Sequence, residues 1–335
     1  GDGAVSFDDI AATVPTLAVE ASRETLGPAT VAKYLFTSGS TGMPKAVAQT
    51  HGMMAGVIAG QDGLKLDEPD DGEVSQGLEW MPWSHISAGN ISFNGLLWAG
   101  GTLHIDEGKP LPGMFETTIK NLRYMGYGGA TLSNDVYTRI QALAVAETGH
   151  RIPLTTMYGA TETQGITVTH WITERVGLVG LPLPGIQLKL APNGSKFEVR
   201  VKGPTVAAGY HKDPEKTAAA FDEEGFYCLG DAARFVDPDD PAKGLVFDGR
   251  VTEDFKLDSG TWVSVGVLRP DLVAACSPYI ADAVICGQDK GYVGALFWPS
   301  PSGLMALVAD PGPGTPMDKL VAFLKERLAA FNASA

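Results

Sequence analysis

The chain has 335 residues, with 39 Asp or Glu against 25 Lys or Arg, a formal charge of −14 at neutral pH. That charge repels nucleic acid and anionic membrane, and no cluster of basic residues offsets it. No apolar run of about 18 residues is present and the first residues carry no basic-then-apolar leader pattern, so neither a membrane span nor a signal segment is expected and a cytoplasmic location is read.

Residues 1–30 show little periodicity and read as a lead-in, and residues 31–37 read as a strand. The next stretch runs Thr37, Ser38, Gly39, Ser40, Thr41, Gly42, Met43, Pro44, Lys45. Glycines let backbone N–H groups turn inward without a Cβ clash, hydroxyls add donors, and the ammonium supplies charge. A nucleoside triphosphate suits such a loop. It is not a Walker A loop, which needs Gly before Lys and Ser or Thr after it, whereas here Pro44 and Ala46 flank Lys45. By composition alone such a stretch is more often a flexible surface loop.

Thr50 begins a helix through Met53, Met54, Val57 and Ile58, with Gly63 at its end. Residues 78–83 read as a buried strand ending at Ser84 and His85, followed by a helix near 89–99, a strand over 102–105 and a helix near 114–123. That last helix runs straight into Tyr124, Met125, Gly126, Tyr127, Gly128, Gly129 and Ala130, which read as a strand end and a tight turn. Ser133 caps a helix with Val136, Ile140 and Leu143 on one face, and residues 152–156 form a strand that ends in Tyr158, Gly159, Ala160, Thr161, Glu162 and Thr163. Such alternation argues for a parallel sheet covered by helices, with a ligand crevice beyond the carboxyl ends of its strands.

From Ile186 the period becomes two. Residues 187–190 and 197–201 flank Pro192, Asn193 and Gly194 as a hairpin, and further strands are expected over 226–231 and 245–250. Past a boundary near Val251 come a hairpin over 255–265 with Trp262 in the core, a helix over 267–275, strands over 283–286 and 293–297, and an amphipathic helix over 317–331. The expected class is α/β: a large N-terminal domain (1–250) with mixed or parallel sheets flanked by helices plus a β-rich subdomain, and a small α+β C-terminal domain (251–335). Cys228, Cys276 and Cys286 lack metal-ligand spacing and read as buried thiols. The six histidines lack zincin spacing and no G-x-S-x-G elbow occurs, so metallohydrolase and serine hydrolase chemistry are not expected.

Activating a carboxylate with ATP requires groups for three phosphates, a metal, adenine, ribose and the acid itself. The loop 37–45 suits the β- and γ-phosphates, Thr161 the α-phosphate or acyl oxygen, and Glu162 a Mg2+ ion. Tyr158 offers a face to adenine and the turn Gly128, Gly129, Ala130 lets backbone approach the other face. Asp231 can accept from the ribose hydroxyls, and Arg250 can reach ribose or phosphate. Singly, Thr161 and Glu162 also suit a helix N-cap, Asp231 a turn and Arg250 a surface ion pair.

In this order, the phosphate loop, Tyr158 to Glu162, Gly230 with Asp231, and Gly249 with Arg250 resemble the core motifs of the adenylate-forming superfamily of acyl-CoA synthetases, luciferases and peptide-synthetase adenylation domains, over nearly the whole chain. Within it, the resemblance is to bacterial feruloyl-CoA synthetases, through Met81, Pro82, Trp83, Ser84, His85, Gly89, Asn90 and Phe93, residues 100–110, and residues 247–265. The resemblance implies ATP, Mg2+ and coenzyme A as cofactors and co-substrates, and an aromatic carboxylic acid as substrate. The expected product is feruloyl-CoA, with AMP and pyrophosphate. It places His85 between the acyl pocket and the thiol tunnel; His85, Asn90 and Tyr127 are the substrate candidates, although His85 also suits an ordinary strand end and Asn90 and Tyr127 equally suit a helix cap and the core. Lys256 and the turn at Gly260 would enter the site for thioester formation after rotation of the C-terminal domain. The hinge position is Thr252 rather than the family's Asp or Lys. The family also has a longer N-terminal part, an α/β stretch before Gly128 and a lysine beyond Ala335, so nucleotide binding is expected of these residues and full activity is not. A homodimer is compatible with the sequence. An adenylation domain loading a carrier protein, or a homologue that only binds nucleotide, are the alternatives.

Overall fold

The computed structural model describes residues 5–37, 43–64, 74–79, 81–105, 122, 124–129, 132, 134–194, 196–251 and 253–334. The N-terminal lead-in carries two short helices, α1 (Phe7–Ala11) and α2 (Leu17–Glu24). Strands β1 (Val31–Thr37) and β2 (Lys45–Thr50) pair antiparallel with Thr37 opposite Lys45, so the candidate phosphate loop connects a hairpin. Sequence reading missed β2, whose Val47 and Gln49 point to the same buried side. Helix α3 (His51–Gly63) starts where expected: the Thr50 hydroxyl accepts from the Met53 N–H at 3.2 Å, capping one of the free amides of the first turn.

Strands β3 (Gln76–Glu79) and β4 (Thr102–Ile105) form a parallel pair, joined through a π-helical segment (Ser87–Ser92) that continues into α4 (Phe93–Trp98). The expected buried strand over 78–83 is therefore short. Glu79 Oε1 accepts from the Met81 N–H at 2.9 Å and turns the chain, Pro82 has no N–H for a ladder, and Leu78 and Trp83 are exposed. The helix expected near 114–123 lies, but for Leu122, outside the described residues.

The remainder of the large unit comprises β5 (Met125–Tyr127), α5 (Asn134–Thr148), β6 (Leu154–Ala160), β7 (Gln164–Val168), β8 (Leu178–Pro182), β9 (Gln187–Asn193), β10 (Lys196–Lys202), α6 (Pro214–Ala219), β11 (Tyr227–Phe235) and β12 (Leu245–Arg250). Eight strands form one sheet in the order β5-β6-β7-β8-β12-β11-β10-β9. Only β5 and β6 run parallel; the other neighbours are antiparallel. The expected mixed α/β class holds. β6 turns back through residues 161–163 into β7, which sequence reading had not placed. Ile166, Val179, Val199, Val201, Tyr227 and Leu245 fill the sheet's core.

The C-terminal part contains β13 (Phe255–Lys256), β14 (Trp262–Val263), α7 (Val265–Ala275), β15 (Ile280–Cys286), β16 (Gly294–Pro299), α8 (Pro301–Ala309) and α9 (Pro316–Ser334). It buries a separate cluster around Val263, Leu272, Cys276, Ile285, Leu307 and Leu320. Two expectations fail here. Trp262 is 51% exposed because it stands on the open side of a two-strand hairpin, and of the three thiols only Cys276 is buried while Cys286 is exposed. Lys196 on β10 ties this part to the sheet: Nζ pairs with Asp254, bonds the Asp248 carbonyl, and lies 3.2 Å from Ser264 Oγ.

Candidate functional site

The β1–β2 hairpin brings Lys45 beside a segment far away in sequence. Tyr210 bridges to Val47, and the His211 N–H donates to the Ala46 carbonyl at 2.8 Å, so residues 210–211 run along β2 like a short extra strand. Lys45 Nζ lies 4.7 Å from the centre of the Tyr210 ring, a cation–π distance. The Tyr210 hydroxyl donates to Glu162 Oε1 at 2.9 Å, and Tyr227 Oη lies 3.0 Å from Tyr210 Oη. Since the single Tyr210 proton is committed to the carboxylate, Tyr227 is the donor of the second bond. Burial, with the Glu162 charge adding to it, pushes the Tyr210 phenol up to about 12, and burial then Glu162 push Tyr227 further still. The Glu162 carbonyl accepts from the Ala207 N–H at 2.7 Å, so the turn after β6 is docked on the same segment.

A second cluster lies four residues back along β6. The Tyr158 hydroxyl donates to Asp231 Oδ2 at 2.7 Å, and Arg250 Nε, cross-strand from Asp231, lies 2.9 Å from Oδ1. Burial raises the Asp231 carboxyl above its ordinary value against the opposing effects of Tyr158 and Arg250, and burial and then the Asp231 charge hold the Tyr158 phenol well above its own. Asp231 Oδ2 thus already accepts from Tyr158, while Oδ1, at ion-pair distance from Arg250, is buried without a hydrogen bond and is open to a further donor.

Thr161 and Glu162 are turn residues, not an N-cap. Gln49 Nε2 donates to the Thr161 carbonyl at 3.0 Å. Gln49 Oε1 accepts from Asn90 Nδ2 at 3.1 Å and from Gln164 Nε2, while Asn90 Nδ2 also reaches Gln164 Oε1 at 3.1 Å. All three amides are buried, so Asn90 is built into a network joining the π-helical segment to β2 and the Thr161 turn. His85 is exposed, one turn away; its Nδ1 accepts from the Ser87 N–H at 3.2 Å and sits 2.7 Å from Ser87 Oγ. Tyr127 is half-buried with its phenol raised by burial and bonded to the Gly177 backbone.

Gly128 and Gly159 have structural reasons to be glycine. A Cβ on Gly128 would lie 2.8 Å from the Met157 carbonyl oxygen, and one on Gly159 would overlap the Gln164 carbonyl. Gly129 follows with φ at 76°, and Ala160 ends β6 with its N–H on Thr163 Oγ1 at 2.9 Å. Ser38, Gly39, Ser40, Thr41, Gly42, Ala130 and Thr252 lie outside the described residues. Lys256 is not drawn into either cluster: its ammonium rests 4.9 Å over Trp262 on its own hairpin. Sequence reading missed Gln49, Gln164, Tyr210 and Tyr227. Gln49 carried a signal, a polar residue two places from buried Val47 on the same strand face; the tyrosines carried none.

The fold and the two clusters define a mixed α/β protein with a convergence of polar side chains at the β6–β7 turn. The AMP-binding enzyme family matches residues 4–123 and 113–211, and the chain belongs to that family. A (7a-methyl-1,5-dioxo-octahydro-1H-inden-4-yl)propanoyl:CoA ligase of Mycobacterium tuberculosis is 28% identical over 349 residues, covering 94% of this chain and 63% of the relative. A carboxylic acid reductase of Segniliparus rugosus is 26% identical over 325 residues, covering 81% of this chain and 26% of the relative. The crystal structure of ATP-bound MatB from Rhodopseudomonas palustris shares the fold at a TM-score of 0.62 and 23% identity, over 81% of this chain and 57% of that one. The chain spans between 22% and 66% of the length of the first four curated relatives. Among the described residues no helix is long and apolar enough to cross a membrane.

Proposed function

We propose that this chain is the adenylating core of an ATP-dependent acid–thiol ligase. The observation that carries the reading is the β6–β7 turn: one five-residue stretch presents Tyr158 to the Asp231–Arg250 cluster and Glu162 to the Lys45 cluster. A nucleotide laid along that stretch meets a ribose acceptor at one end and cationic and carboxylate groups for its phosphates at the other. Lys45 and the loop 37–45 hold the β- and γ-phosphates, Thr161 orients the α-phosphate, and Asp231 with Arg250 fixes the ribose. Tyr158 and the Gly128–Ala130 turn flank adenine. Mg2+ is held by the Glu162 carboxylate together with substrate phosphates. When bound, Mg2+ neutralises charge on the triphosphate.

The acid's carboxylate oxygen attacks the α-phosphorus, the bond to the bridging oxygen breaks, and pyrophosphate leaves. The coenzyme A thiolate then attacks the acyl carbonyl and expels AMP. His85 lies on the acyl side, and Lys256 joins only for this second step, after movement of residues 251–335 as a separate domain. The separate C-terminal core and the exposed position of Lys256 support that division. Ferulate or a related hydroxycinnamate is the proposed acid, on the likeness of residues 81–93, 100–110 and 247–265. Asn90 supports the acyl side through the amide network rather than by an exposed contact. A carrier protein in place of coenzyme A is the second reading, favoured by the similarity to a carboxylic acid reductase.

The test is pyrophosphate release from ATP and Mg2+ with a panel of carboxylic acids including ferulate, with and without coenzyme A. Acid-dependent release that falls at least tenfold in Lys45→Ala, the order expected for losing one charged phosphate contact, would support the assignment. Unchanged turnover in Lys45→Ala would refute it.

A further inference from the structure

Tyr210 stands between two opposite charges without letting them meet. Its ring face carries the Lys45 ammonium at 4.7 Å, and its hydroxyl, in the ring plane, carries Glu162 Oε1 at 2.9 Å. These two directions are perpendicular in any phenol, so one rigid side chain fixes both the separation and the mutual orientation of an ammonium and a carboxylate. Without it, a Lys and a Glu facing one cleft would relax into a direct ion pair and neutralise each other. Tyr210 is itself held at three points: the bridge to Val47, its N–H on Thr217 Oγ1 at 2.9 Å, and the Tyr227 hydroxyl at 3.0 Å.

We propose that Tyr210 is a positioning residue that keeps Lys45 and Glu162 apart and aimed, so that Lys45 meets phosphate oxygens while Glu162 meets the divalent cation that travels with them. The proposal rests on the assignment of Lys45 to phosphate and Glu162 to Mg2+ made above. The hydroxyl and the ring do separable jobs. The hydroxyl orients Glu162 and so acts only when a divalent cation is present; the ring seats Lys45 and acts with or without it. Tyr227, which donates to the Tyr210 hydroxyl, fixes the direction in which that hydroxyl points.

The experiment measures ATP binding to the full chain by calorimetry, once with Mg2+ and once with EDTA, with Mn2+ electron paramagnetic resonance as a direct readout of cation capture by the protein–ATP complex. Melting temperatures are recorded beside each variant. Tyr210→Phe should weaken Mg2+-dependent ATP binding about tenfold, the size expected for one hydrogen bond to a charged group. It should leave binding in EDTA within about twofold and lower Mn2+ capture in parallel. In a Glu162→Gln background the same substitution should add nothing, because the group it acts through has been removed. Tyr210→Leu, which also removes the ring, should weaken binding in EDTA as well. Tyr227→Phe should give a smaller loss of the Mg2+-dependent kind only, and serves in place of Tyr210→Phe if that variant melts below the assay temperature.

Equal losses with and without Mg2+, an undiminished effect in the Glu162→Gln background, or no loss at all would each overturn the role given to Tyr210. If the unsubstituted chain binds ATP and loses Mg2+ dependence in Glu162→Gln while Tyr210→Phe is neutral, only the Tyr210 role fails. If the unsubstituted chain does not bind ATP, the proposed function fails and takes the Tyr210 role with it.

Discussion

Replacing Gln49 by Leu tests whether the buried amide network holds the β6–β7 turn in place. Gln49 makes three bonds: to the Thr161 carbonyl, to Asn90 Nδ2 and to Gln164 Nε2. Asn90 Nδ2 keeps Gln164 Oε1 after the change, but the Thr161 carbonyl and Gln164 Nε2 lose the partner that Gln49 supplied. Leu is close to Gln in volume, so the cost is polar. Stranding the buried Gln164 amide costs about 1–3 kcal/mol, and the half-buried Thr161 carbonyl adds a smaller loss. Hydrogen exchange of the amides in 45–50 and 160–168, followed by mass spectrometry, reads this locally; about 2 kcal/mol corresponds to exchange faster by about 30-fold. Gln164→Leu should be less damaging in the Gln49→Leu background than alone, because the Gln49–Gln164 bond it would break is already gone; the Asn90 Nδ2 that it strands there is offset by the stranded Gln164 Nε2 that it removes. The left-handed backbone at Gln164, φ 59°, penalises Leu equally in both backgrounds and cancels in the cycle. Costs additive to within about 0.5 kcal/mol would show that the three amides are neighbours and not a network.

Two further outcomes follow from the same geometry. Tyr210 keeps its proton up to about 12 in the folded chain against 10.0 in an unperturbed phenol. Between those values the unfolded chain binds fewer protons than the folded one, so this group's stability is whole below pH 10 and is lost as pH rises through about 12. Thermal melting across that window should therefore fall less steeply in Tyr210→Phe than in the parent, though not flatten, since Tyr158 and Tyr227 shift the same way. At the junction of the two parts, Lys196→Met leaves Asp254, with 7% of its side chain exposed, without its cation. Breaking a buried pair this way costs about 3–5 kcal/mol. Limited proteolysis should cut within 250–256 faster than in the parent, and Asp254→Asn in the same chain should slow it again; an unchanged cleavage rate would mean that the pair does not fasten the junction.

The sequence by itself determined the elements whose signals are local. Thr50 and the apolar spacing after it mark α3 to the residue, and the period-two runs around Pro192 to Gly194 mark the β9–β10 hairpin, because capping and pleat alternation depend on neighbours in the chain. The residue types of the candidate site were equally legible, since glycine, hydroxyl, carboxylate and cation in a fixed order need no fold to be recognised. What only the tertiary structure decided is which of them meet. Thr161 and Glu162 suit an N-cap as well as a turn, and nothing local separates the two, so the return of the chain into β7 was not placed. α8 was missed because its apolar residues leave no polar face to give a helical stripe, although Leu307 is buried and Met305 and Val308 are exposed. Tyr210 was invisible for a different reason. Its importance is a matter of lying against residues 48 and 165 positions away in the chain, and long-range pairing of that kind leaves no periodicity, cap or composition behind; it exists only once the antiparallel sheet has folded the ends of three separate segments onto one another.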